Sequence, residues 1–304
     1  MTTDQNGRAP VGVMDVGGSH VTAALVDPTA PGDVLVERGA DIDPHAPLDV
    51  LLEQLAGPAR ELARVHPVPG WAVAMPGPFD YRAGTGTFAG VDKFQALAGI
   101  DLRGALAERL AVGPDAVRFC NDAVAYGIGE WAAGAGAHAH RTICITLGTG
   151  VGSAFLVDGV EVSTGATVPE EGEVHRLTID GRPLEDTFSS PALRRDQLRR
   201  SGRTSSVAEI CALARAGDDT ARDVLDTAAS ALGVALRPWV ERFRAERIVV
   251  GGSIARSWDV VAPPLRAGLG RSADHAVVVP AALGARAPLS GAAVVWQRHP
   301  DVSR

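Results

Sequence analysis

Alternate glycines lie between two apolar runs in the middle of the chain. Gly148, Gly150 and Gly152 separate the apolar residues 143–145 from the apolar residues 154–157. Because glycine lacks a Cβ atom, the backbone N–H groups of such a turn can closely approach an anion such as a phosphate. The residues after Gly152 have no helical spacing, whereas the glycines of a dinucleotide-binding fingerprint open a helix. The pattern favours strand–loop–strand, with a tight turn that binds nothing as the alternative.

The same arrangement occurs near the beginning of the chain. A strand predicted at residues 11–16 is followed by a turn with Gly17, Gly18 and Ser19, and a second strand is predicted at residues 21–26. The sequence therefore contains two copies of strand, glycine turn and strand. A plain β-turn is again the alternative to a phosphate-binding loop.

Between these two copies, Asn121 and Asp122 follow a strand predicted at residues 116–119. The carboxyl end of a strand is where α/β folds place catalytic groups, and a carboxylate there can accept the proton of an alcohol. Aspartate is also a good N-cap for the helix predicted from residue 123. The residues alone leave both roles open for Asp122.

The wider chain must position these groups, and its strands and helices alternate. Apolar residues recur at helical spacing over residues 48–65, and residues 79–99 read as a long loop. A late strand at residues 247–250 meets Gly251 and Gly252, after which a helix is predicted near residue 254. This alternation predicts the α/β class.

Composition limits the classes of protein that fit. The 304 residues are long for one core and suit two domains of roughly 120 to 180 residues each. A formal net charge of −7 argues against a nucleic-acid partner, which requires a basic face. Among 29 basic residues Lys93 is the only lysine.

Targeting signals are also constrained by the sequence. The first ten residues are polar and predict a frayed tail with no signal peptide, and no apolar run reaches the ~20 residues that cross a bilayer. Cys120, Cys144 and Cys211 are odd in number and lie in or beside apolar segments, which suits buried thiols in a reducing compartment. We therefore expect a cytoplasmic protein without a membrane partner.

Together, the two glycine hairpins, the intervening Asn-Asp pair and the late strand–Gly-Gly–helix resemble the ROK family of sugar kinases and repressors. That family lies within the actin/hexokinase/Hsp70 ATPase superfamily, and the resemblance extends from Val11 to Trp296. It implies two ribonuclease H-like α/β domains around a central cleft. We expect a small N-terminal domain at residues 1–121, with the first phosphate loop, and a larger C-terminal domain at residues 122–304.

The resemblance assigns the two glycine turns to ATP. Residues 15–20 would form the first phosphate loop, with the amides of Gly17, Gly18 and Ser19 on the transferring phosphoryl group. Asp15 would lie near Mg²⁺ and contact it through water. The second phosphate loop would place three residues over the nucleotide's phosphates: Gly148, Thr149 and Gly150.

The adenosine and sugar sites follow from the same resemblance. Gly251 and Gly252 would leave room for the base and ribose of ATP. Asp122 would act as the catalytic base, and Asn121 beside it would bind a sugar hydroxyl. The loops carrying Gly77 and Asp92 resemble sugar-facing loops of the family, and Asp92 falls where a sugar-contacting asparagine often occurs. Lys93 beside it is conspicuous as the only lysine. Glu130 matches a family glutamate, with an exposed helix-face glutamate as the alternative.

A short Glu-x-Gly-His segment of the family's sugar site is present here with its spacing changed by one residue. His175 is the candidate for a hydrogen bond near the C1–C2 hydroxyls of the sugar, and Glu173 or Glu171 is its partner. Whether Glu170, Glu171 or Glu173 faces the sugar stays open. A solvated acidic loop is the alternative.

A cysteine zinc site, which most kinases of the family carry after this histidine, is not expected. The sequence has no cysteine between Cys144 and Cys211, so the CxCGxxGCxE pattern cannot be formed. The chain resembles zinc-free relatives, and packing would have to hold the His175 loop.

The resemblance implies an ATP- and Mg²⁺-dependent hexose kinase that phosphorylates a primary hydroxyl, at C6. Glucose is the default substrate, an amino-hexose such as kanosamine is the second choice, and polyphosphate is an alternative donor. A homodimer would match many relatives. The other functional readings are a sugar-binding regulator of the same family, for which residues before Val11 leave little room for a DNA-binding module, and a dinucleotide-dependent dehydrogenase.

Overall fold

A computed structural model of the chain describes residues 9–298. Residue contacts divide the chain into two units. The first extends to Ala133 and takes up the chain again from Ala285, and the second comprises Gly134–Gly284. Residues 1–8 of the expected polar tail lie outside the described residues.

Within the described residues, the strands are β1 (Val11–Val16), β2 (His20–Val26), β3 (Val34–Asp41), β4 (Trp71–Met75), β5 (Phe79–Asp80), β6 (Thr85–Gly86), β7 (Val117–Asn121), β8 (Arg141–Leu147), β9 (Val151–Val157), β10 (Val160–Glu161), β11 (Thr178–Ile179), β12 (Arg182–Pro183), β13 (Arg247–Gly251) and β14 (Val277–Pro280). The α-helices are α1 (Leu48–Val65), α2 (Leu102–Leu110), α3 (Asp122–Ala133), α4 (Ser190–Ser201), α5 (Val207–Arg215), α6 (Asp219–Phe243), α7 (Trp258–Leu269), α8 (Ser272–His275) and α9 (Ala287–Arg298).

Each unit contains a five-stranded mixed sheet of the same design. The strand order is β3-β2-β1-β4-β7 in the first unit and β10-β9-β8-β13-β14 in the second. In both, an antiparallel hairpin with the glycine turn leads into parallel strands, β1-β4-β7 and β8-β13-β14. The prediction of two copies of one arrangement is confirmed, as is the α/β class.

The glycine turn of the second unit is followed by β9 and not by a helix. A dinucleotide-binding fingerprint needs a helix there, because the helix N-terminus holds the pyrophosphate. The dehydrogenase interpretation is therefore wrong. The helix predicted near residue 254 begins there as a 3₁₀ turn at Ile254–Ser257, which α7 continues.

Both faces of the first sheet are buried. On β1, Met14 and Val16 join the core formed with α1 and α2, whereas Val11 and Val13 join a second core formed with α9. A strand that is apolar on both faces can only be stable between two layers of helices. The second sheet is covered by a core to which α5, α6 and α7 contribute.

The domain boundary expected between Asn121 and Asp122 does not coincide with the division that contacts show. Helix α3 stays with the first unit because it packs against α9, which returns from the C-terminal end of the chain. The small residues of this pair allow the close approach: a Cβ atom on Gly291 would overlap the carbonyl oxygen of Ala125. Hydrophobic periodicity can indicate a helix, but it does not identify the neighbour against which the helix packs.

Two further expectations can be compared with the structure. Glu130, on α3, is fully buried, so its interpretation as an exposed helix-face glutamate is wrong. The three cysteines are buried free thiols, as the sequence predicts. Among the residues 9–298, no helix combines the length and apolarity that crossing a membrane requires.

The α3–α9 contact predicts the effect of adding one methyl group. Gly291→Ala should lower the free energy of unfolding by about 2 kcal/mol, since overpacking forces backbone shifts. Gly57→Ala is the matched control, because Gly57 also lies inside a helix but a Cβ there meets nothing within 4 Å. Urea unfolding should show the control neutral or stabilised by about 0.5–1 kcal/mol. Equal effects of the two changes would contradict this account of the packing.

Candidate functional site

Three of the polar residues predicted to bind the sugar or magnesium lie at the carboxyl edge of the first sheet. Asp15 on β1 is opposite Ala74 of β4, and Asn121 on β7 is opposite Met75 of β4. Asp122 follows as the first residue of α3. Because parallel strands end at one edge, three neighbouring strands bring these polar groups together.

Asp15 and Asp122 form an electrostatically strained pair. Burial raises the pKa of Asp15 to about 7, and the negative charge of Asp122 adds to the increase. Burial also raises the pKa of Asp122, although the N–H groups of Ala123 and of Asp122 itself act in the opposite direction. Neither carboxylate forms an ion pair with a residue in the described part of the chain. The pair therefore favours a proton or a bound cation.

The carboxylates fit a magnesium ion, which commonly takes one or two protein carboxylates and completes its shell with water and substrate phosphates. Asp15 lies two residues before the first glycine turn, as the predicted role requires. No group of three or more His, Cys, Asp or Glu in residues 9–298 is arranged to hold a metal. A complete protein cage is thus not formed, and the two carboxylates would supply only part of the shell.

Asn121 carries the helix cap for which Asp122 was an alternative. Its Oδ1 accepts from the N–H of Val124 at 3.0 Å, while the Asp122 carboxylate accepts from the adjacent Ala123 at 2.8 Å and from its own N–H. Asn121 Nδ2 donates to the Tyr81 hydroxyl at 2.9 Å. The Asp122 carboxylate is therefore not needed to satisfy the first turn of α3.

Tyr81 is a residue that sequence reasoning missed. Its hydroxyl accepts from Asn121 and donates to the carbonyl oxygen of Met75 at 3.1 Å, so it fixes the Asn121 amide to β4. A Cβ atom on Gly77 would lie 3.6 Å from the same hydroxyl. The sequence feature that could have identified Tyr81 is its place in a long loop, three residues after a Pro-Gly-Pro turn. Asp92, by contrast, is exposed and none of these contacts involves it.

Only two of the three N–H groups predicted to bind phosphate at the first glycine turn are available. The N–H of Gly17 donates to the carbonyl oxygen of His20 at 2.8 Å and closes the hairpin. Within the described residues, the N–H groups of Gly18 and Ser19 have no acceptor. The carbonyl oxygen of Ser19 accepts from Ile42 at 3.1 Å, which ties the turn to the end of β3. Two amides are left that can face an anion.

The second glycine turn follows the same plan. Gly148 donates its N–H to Gly150 at 3.0 Å, and its carbonyl oxygen accepts from Ser190 at 2.7 Å. The amides of Thr149 and Gly150 have no acceptor among residues 9–298. The turn is thus held from both sides while two N–H groups stay available for phosphate oxygens.

Glu185 is a second residue that the sequence did not reveal. Its Oε1 accepts from the N–H of Val151 at 2.7 Å, and the carboxylate occupies the space that a Cβ atom on Gly150 would need. Glu185 therefore fixes the second glycine turn against β9. The alternate glycines signalled a close approach to this turn, but a close approach does not identify the approaching side chain.

Gly251 and Gly252 lie next to the second glycine turn. Gly251 is opposite Thr146 in the parallel β13–β8 pairing. Gly252 has φ +86°, and a Cβ atom there would overlap the backbone of Leu147. Both its backbone conformation and the space available require glycine. The predicted adenosine motif and the predicted phosphate loop are therefore built on adjacent strands of one sheet.

The loop with His175 gathers its acidic residues around an arginine. Arg176 pairs with Glu173 at 2.5 Å and Glu171 at 2.6 Å, and more distantly with Glu170 at 3.8 Å. His175 Nε2 lies 3.6 Å from the Glu173 carboxylate, so Glu173 is its partner in this structure. Arg176 was not predicted, although its place directly after the histidine in an acidic run was a signal.

Protein contacts hold this loop. Ser153 Oγ on β9 donates to the carbonyl oxygen of Gly172 at 2.7 Å and accepts from the N–H of Val174 at 3.0 Å. Val174 and Leu184 are fully buried, and Leu184 donates its N–H to Leu177 at 2.7 Å. Hydrogen bonding and apolar packing together thus determine where His175 lies in the second unit.

A cavity of about 170 Å³ between α4 and α6 contains none of the predicted site residues. Its rim carries arginines, but Arg199 and Arg200 pair with Asp196, and Arg195 donates to a backbone carbonyl. We do not assign it to the candidate site.

Comparison with known proteins gives a consistent result. The family model described as "ROK family" matches residues 11–299. A glucokinase of Thermotoga maritima is 27% identical over 276 residues, which cover 83% of this chain and 84% of the relative.

Solved structures are similar over nearly the full length. The ROK hexokinase of Thermus thermophilus matches with a TM-score of 0.78 at 24% identity, covering 96% of this chain and 100% of its own. A ROK family glucokinase from Streptomyces griseus, in complex with glucose and AMPPNP, matches with a TM-score of 0.75 at 25% identity, covering 94% and 99%.

The strained carboxylate pair predicts how stability depends on pH. Since the pKa of Asp15 is about 7 in the folded chain and 3.8 for an ordinary solvated aspartate, ionising Asp15 destabilises the fold progressively as pH rises from about 4 to 7. Asp15→Asn should therefore gain stability relative to wild type across that interval, by at most about 4 kcal/mol. Urea unfolding at pH 4 to 8 without divalent cations measures this. The exposed Asp92→Asn is the control, and parallel curves for wild type and Asp15→Asn would contradict the assignment.

Proposed function

The chain belongs to the ROK family and is a sugar kinase, and we propose that it transfers the γ-phosphoryl group of ATP to a hexose primary hydroxyl. Its fold is the actin/hexokinase ATPase fold of the ROK hexokinases. The acceptor would be C6 of glucose or of an amino-hexose such as kanosamine. The observation that carries the proposal is Asp122, a half-buried carboxylate at the end of β7 beside Asp15.

Asp122 has the properties of a general base for an alcohol. Burial raises its pKa, which brings its basicity closer to neutral pH than that of an exposed aspartate. Its partial exposure leaves the carboxylate open to a substrate, and Asn121 relieves it of capping α3. In the proposed reaction Asp122 accepts the hydroxyl proton while the oxygen attacks the γ-phosphorus.

Asp15 and the first glycine turn would serve the phosphoryl group. Magnesium, when bound, supplies positive charge that offsets the phosphate oxygens. Asp15 would orient water in its shell, and the acceptor-free amides of Gly18 and Ser19 would donate to phosphoryl oxygens. These groups would be preorganised, because the Gly17–His20 bond fixes the turn.

The second unit would hold the nucleotide. The amides of Thr149 and Gly150 would donate to its phosphates, and the turn at Gly251 and Gly252 would accommodate adenosine. The backbone supports this proposal. The acceptor-free amides of Thr149 and Gly150 follow β8, and the two glycines, Gly251 and Gly252, lie at the end of the adjacent strand β13. Glu185 would position the loop without touching ATP.

The acidic loop bears on the choice of sugar. Glu173 contacts His175, which supports this pair as the one that binds sugar hydroxyls. Glu170, Glu171 and Glu173 share one arginine, so the cluster keeps an excess of negative charge that would favour the ammonium group of an amino-hexose. Asn121, Gly77 and Asp92 are the proposed acceptor-site contacts in the first unit.

A coupled assay of ADP release over a panel of hexoses and amino-hexoses tests the proposal. We expect turnover with ATP and at least one sugar, and the ratio of kcat/KM between glucose and kanosamine selects the acceptor. Turnover with polyphosphate alone would change the donor. Calorimetric binding of a sugar without any phosphoryl transfer would instead identify a regulator and overturn the kinase assignment for this chain.

Removing the proposed base should affect chemistry more than binding. Asp122→Asn is expected to lower kcat by about 10²–10⁴-fold, the usual contribution of a positioned base. The calorimetric affinity for the sugar should change far less. Asp115→Asn, an exposed aspartate of the same unit, is the control and should keep wild-type turnover. Near-normal kcat in Asp122→Asn would remove Asp122 from the mechanism.

Two variants distinguish the hydrogen bond that Glu185 accepts from the negative charge of its carboxylate. Glu185→Ala removes the acceptor of the Val151 N–H and should raise KM for ATP about tenfold, as expected for loss of a hydrogen bond to a charged group. Glu185→Gln keeps a carbonyl oxygen at that place and should restore most of the affinity. KM for the sugar is the internal reference. An equal rise of both KM values would point to general loosening of the unit.

A further inference from the structure

Lys93 places its ammonium group against the first glycine turn. Its Cε and Cδ atoms lie 3.1 and 3.2 Å from the point where a Cβ atom of Gly18 would be, and its Nζ lies closer still. The lysine thus occupies the side-chain space that Gly18 leaves empty. A residue with any side chain at position 18 would push the ammonium group away.

The Lys93 ammonium group has no acceptor among the residues that the structure describes. The residue is partly buried, yet among residues 9–298 no carboxylate forms an ion pair with it and no group accepts a hydrogen bond from it. A partly desolvated ammonium with three donors is stabilised by an anion. The structure therefore brings a cation and the acceptor-free amides of Gly18 and Ser19 to one place.

The backbone that carries Lys93 is fixed. Phe94 is buried, has φ +60°, and donates its N–H to the carbonyl oxygen of Pro44 at 2.9 Å. Gln95 Nε2 donates to the carbonyl oxygens of Phe88 at 2.7 Å and Val91 at 2.6 Å. These contacts fix the backbone around Lys93, so little backbone entropy is left to lose when its ammonium group binds an anion.

We propose that Lys93 is a catalytic residue whose ammonium group binds the oxygens of the phosphoryl group in transfer, beside the first glycine turn. The inference rests on the proposed kinase function and adds a residue to it. In the transfer, the bond from the γ-phosphorus to the β–γ bridging oxygen breaks, and a bond to the sugar oxygen forms. The hydroxyl proton passes to Asp122, and Lys93 stays protonated throughout. Its charge opposes the negative charge on the equatorial oxygens.

Two steady-state constants and a binding measurement test the proposal. Lys93→Met should lower kcat about 10²-fold, comparable to removing one preorganised donor, and leave KM for the sugar within about threefold. Calorimetry at low salt should show at least tenfold weaker binding of inorganic phosphate. Arg60→Met, which removes an ion-paired arginine on α1, is the control and should change neither value. Wild-type kcat and phosphate affinity in Lys93→Met would overturn the proposal.

Gly18→Ala supplies an independent test through the same contact. The three atoms nearest to the added methyl group belong to the flexible end of Lys93, so the chain should fold and its thermal midpoint should stay near that of wild type. We expect kcat to fall as in Lys93→Met, and the double variant Gly18→Ala/Lys93→Met to be no slower than Lys93→Met alone. Fully additive losses would mean that Gly18 acts without Lys93 and would contradict the proposed relation.

The outcomes separate this proposal from the kinase assignment. If the wild-type chain phosphorylates no sugar, the proposed function fails, whereas the phosphate titration of wild type and Lys93→Met still reports on the site. If wild type is an active kinase and both variants behave like it, only the role of Lys93 fails.

Discussion

The partial burial of two neighbouring carboxylates, Asp15 and Asp122, is the constraint on which the site of the first unit depends. Burial raises the pKa of Asp15 to about 7 and the negative charge of Asp122 adds to the increase, so a proton or a cation beside the pair is favourable. A fold would not retain such a pair for stability, since ionisation of Asp15 weakens it. The pair is explained by the chemistry of a hydroxyl and a phosphate, where one carboxylate takes a proton and the other helps hold positive charge.

Neighbouring side chains keep these two carboxylates available. Asn121 caps α3, so Asp122 is not consumed by the helix, and Tyr81 holds the Asn121 amide to β4. Lys93 brings positive charge to the adjacent turn without pairing with either acid. The site therefore consists of groups whose hydrogen-bonding capacity is left incomplete by the protein and can be completed by substrate.

Local sequence patterns predicted the strands, the repeated hairpin and the position of Asp122, because alternation, glycine turns and strand ends are encoded by neighbouring residues. Arg176 pairs with Glu173 three residues before it and so had a local signal, whereas the partners Tyr81 and Glu185 could not be predicted in this way. Each meets its site through the fold, and the glycine at position 150 records only that something comes close. The return of α9 to the first unit is non-local for the same reason, and it explains why the expected boundary at residue 121 differs from the contact division.

The two glycine turns show why the shared hairpin alone does not determine function. In both, the first glycine donates its N–H within the turn, and two later amides have no acceptor in the described residues. A side chain from another segment then fills the space over each turn: the cation Lys93 over Gly18, and the carboxylate Glu185 over Gly150. Glu185 satisfies the Val151 amide as a phosphate oxygen would, so it acts as a fixed brace and leaves the remaining amides for ligand. The opposite charges suit different tasks, stabilising the charge that develops in transfer at the first turn and holding a preformed loop for a nucleotide at the second.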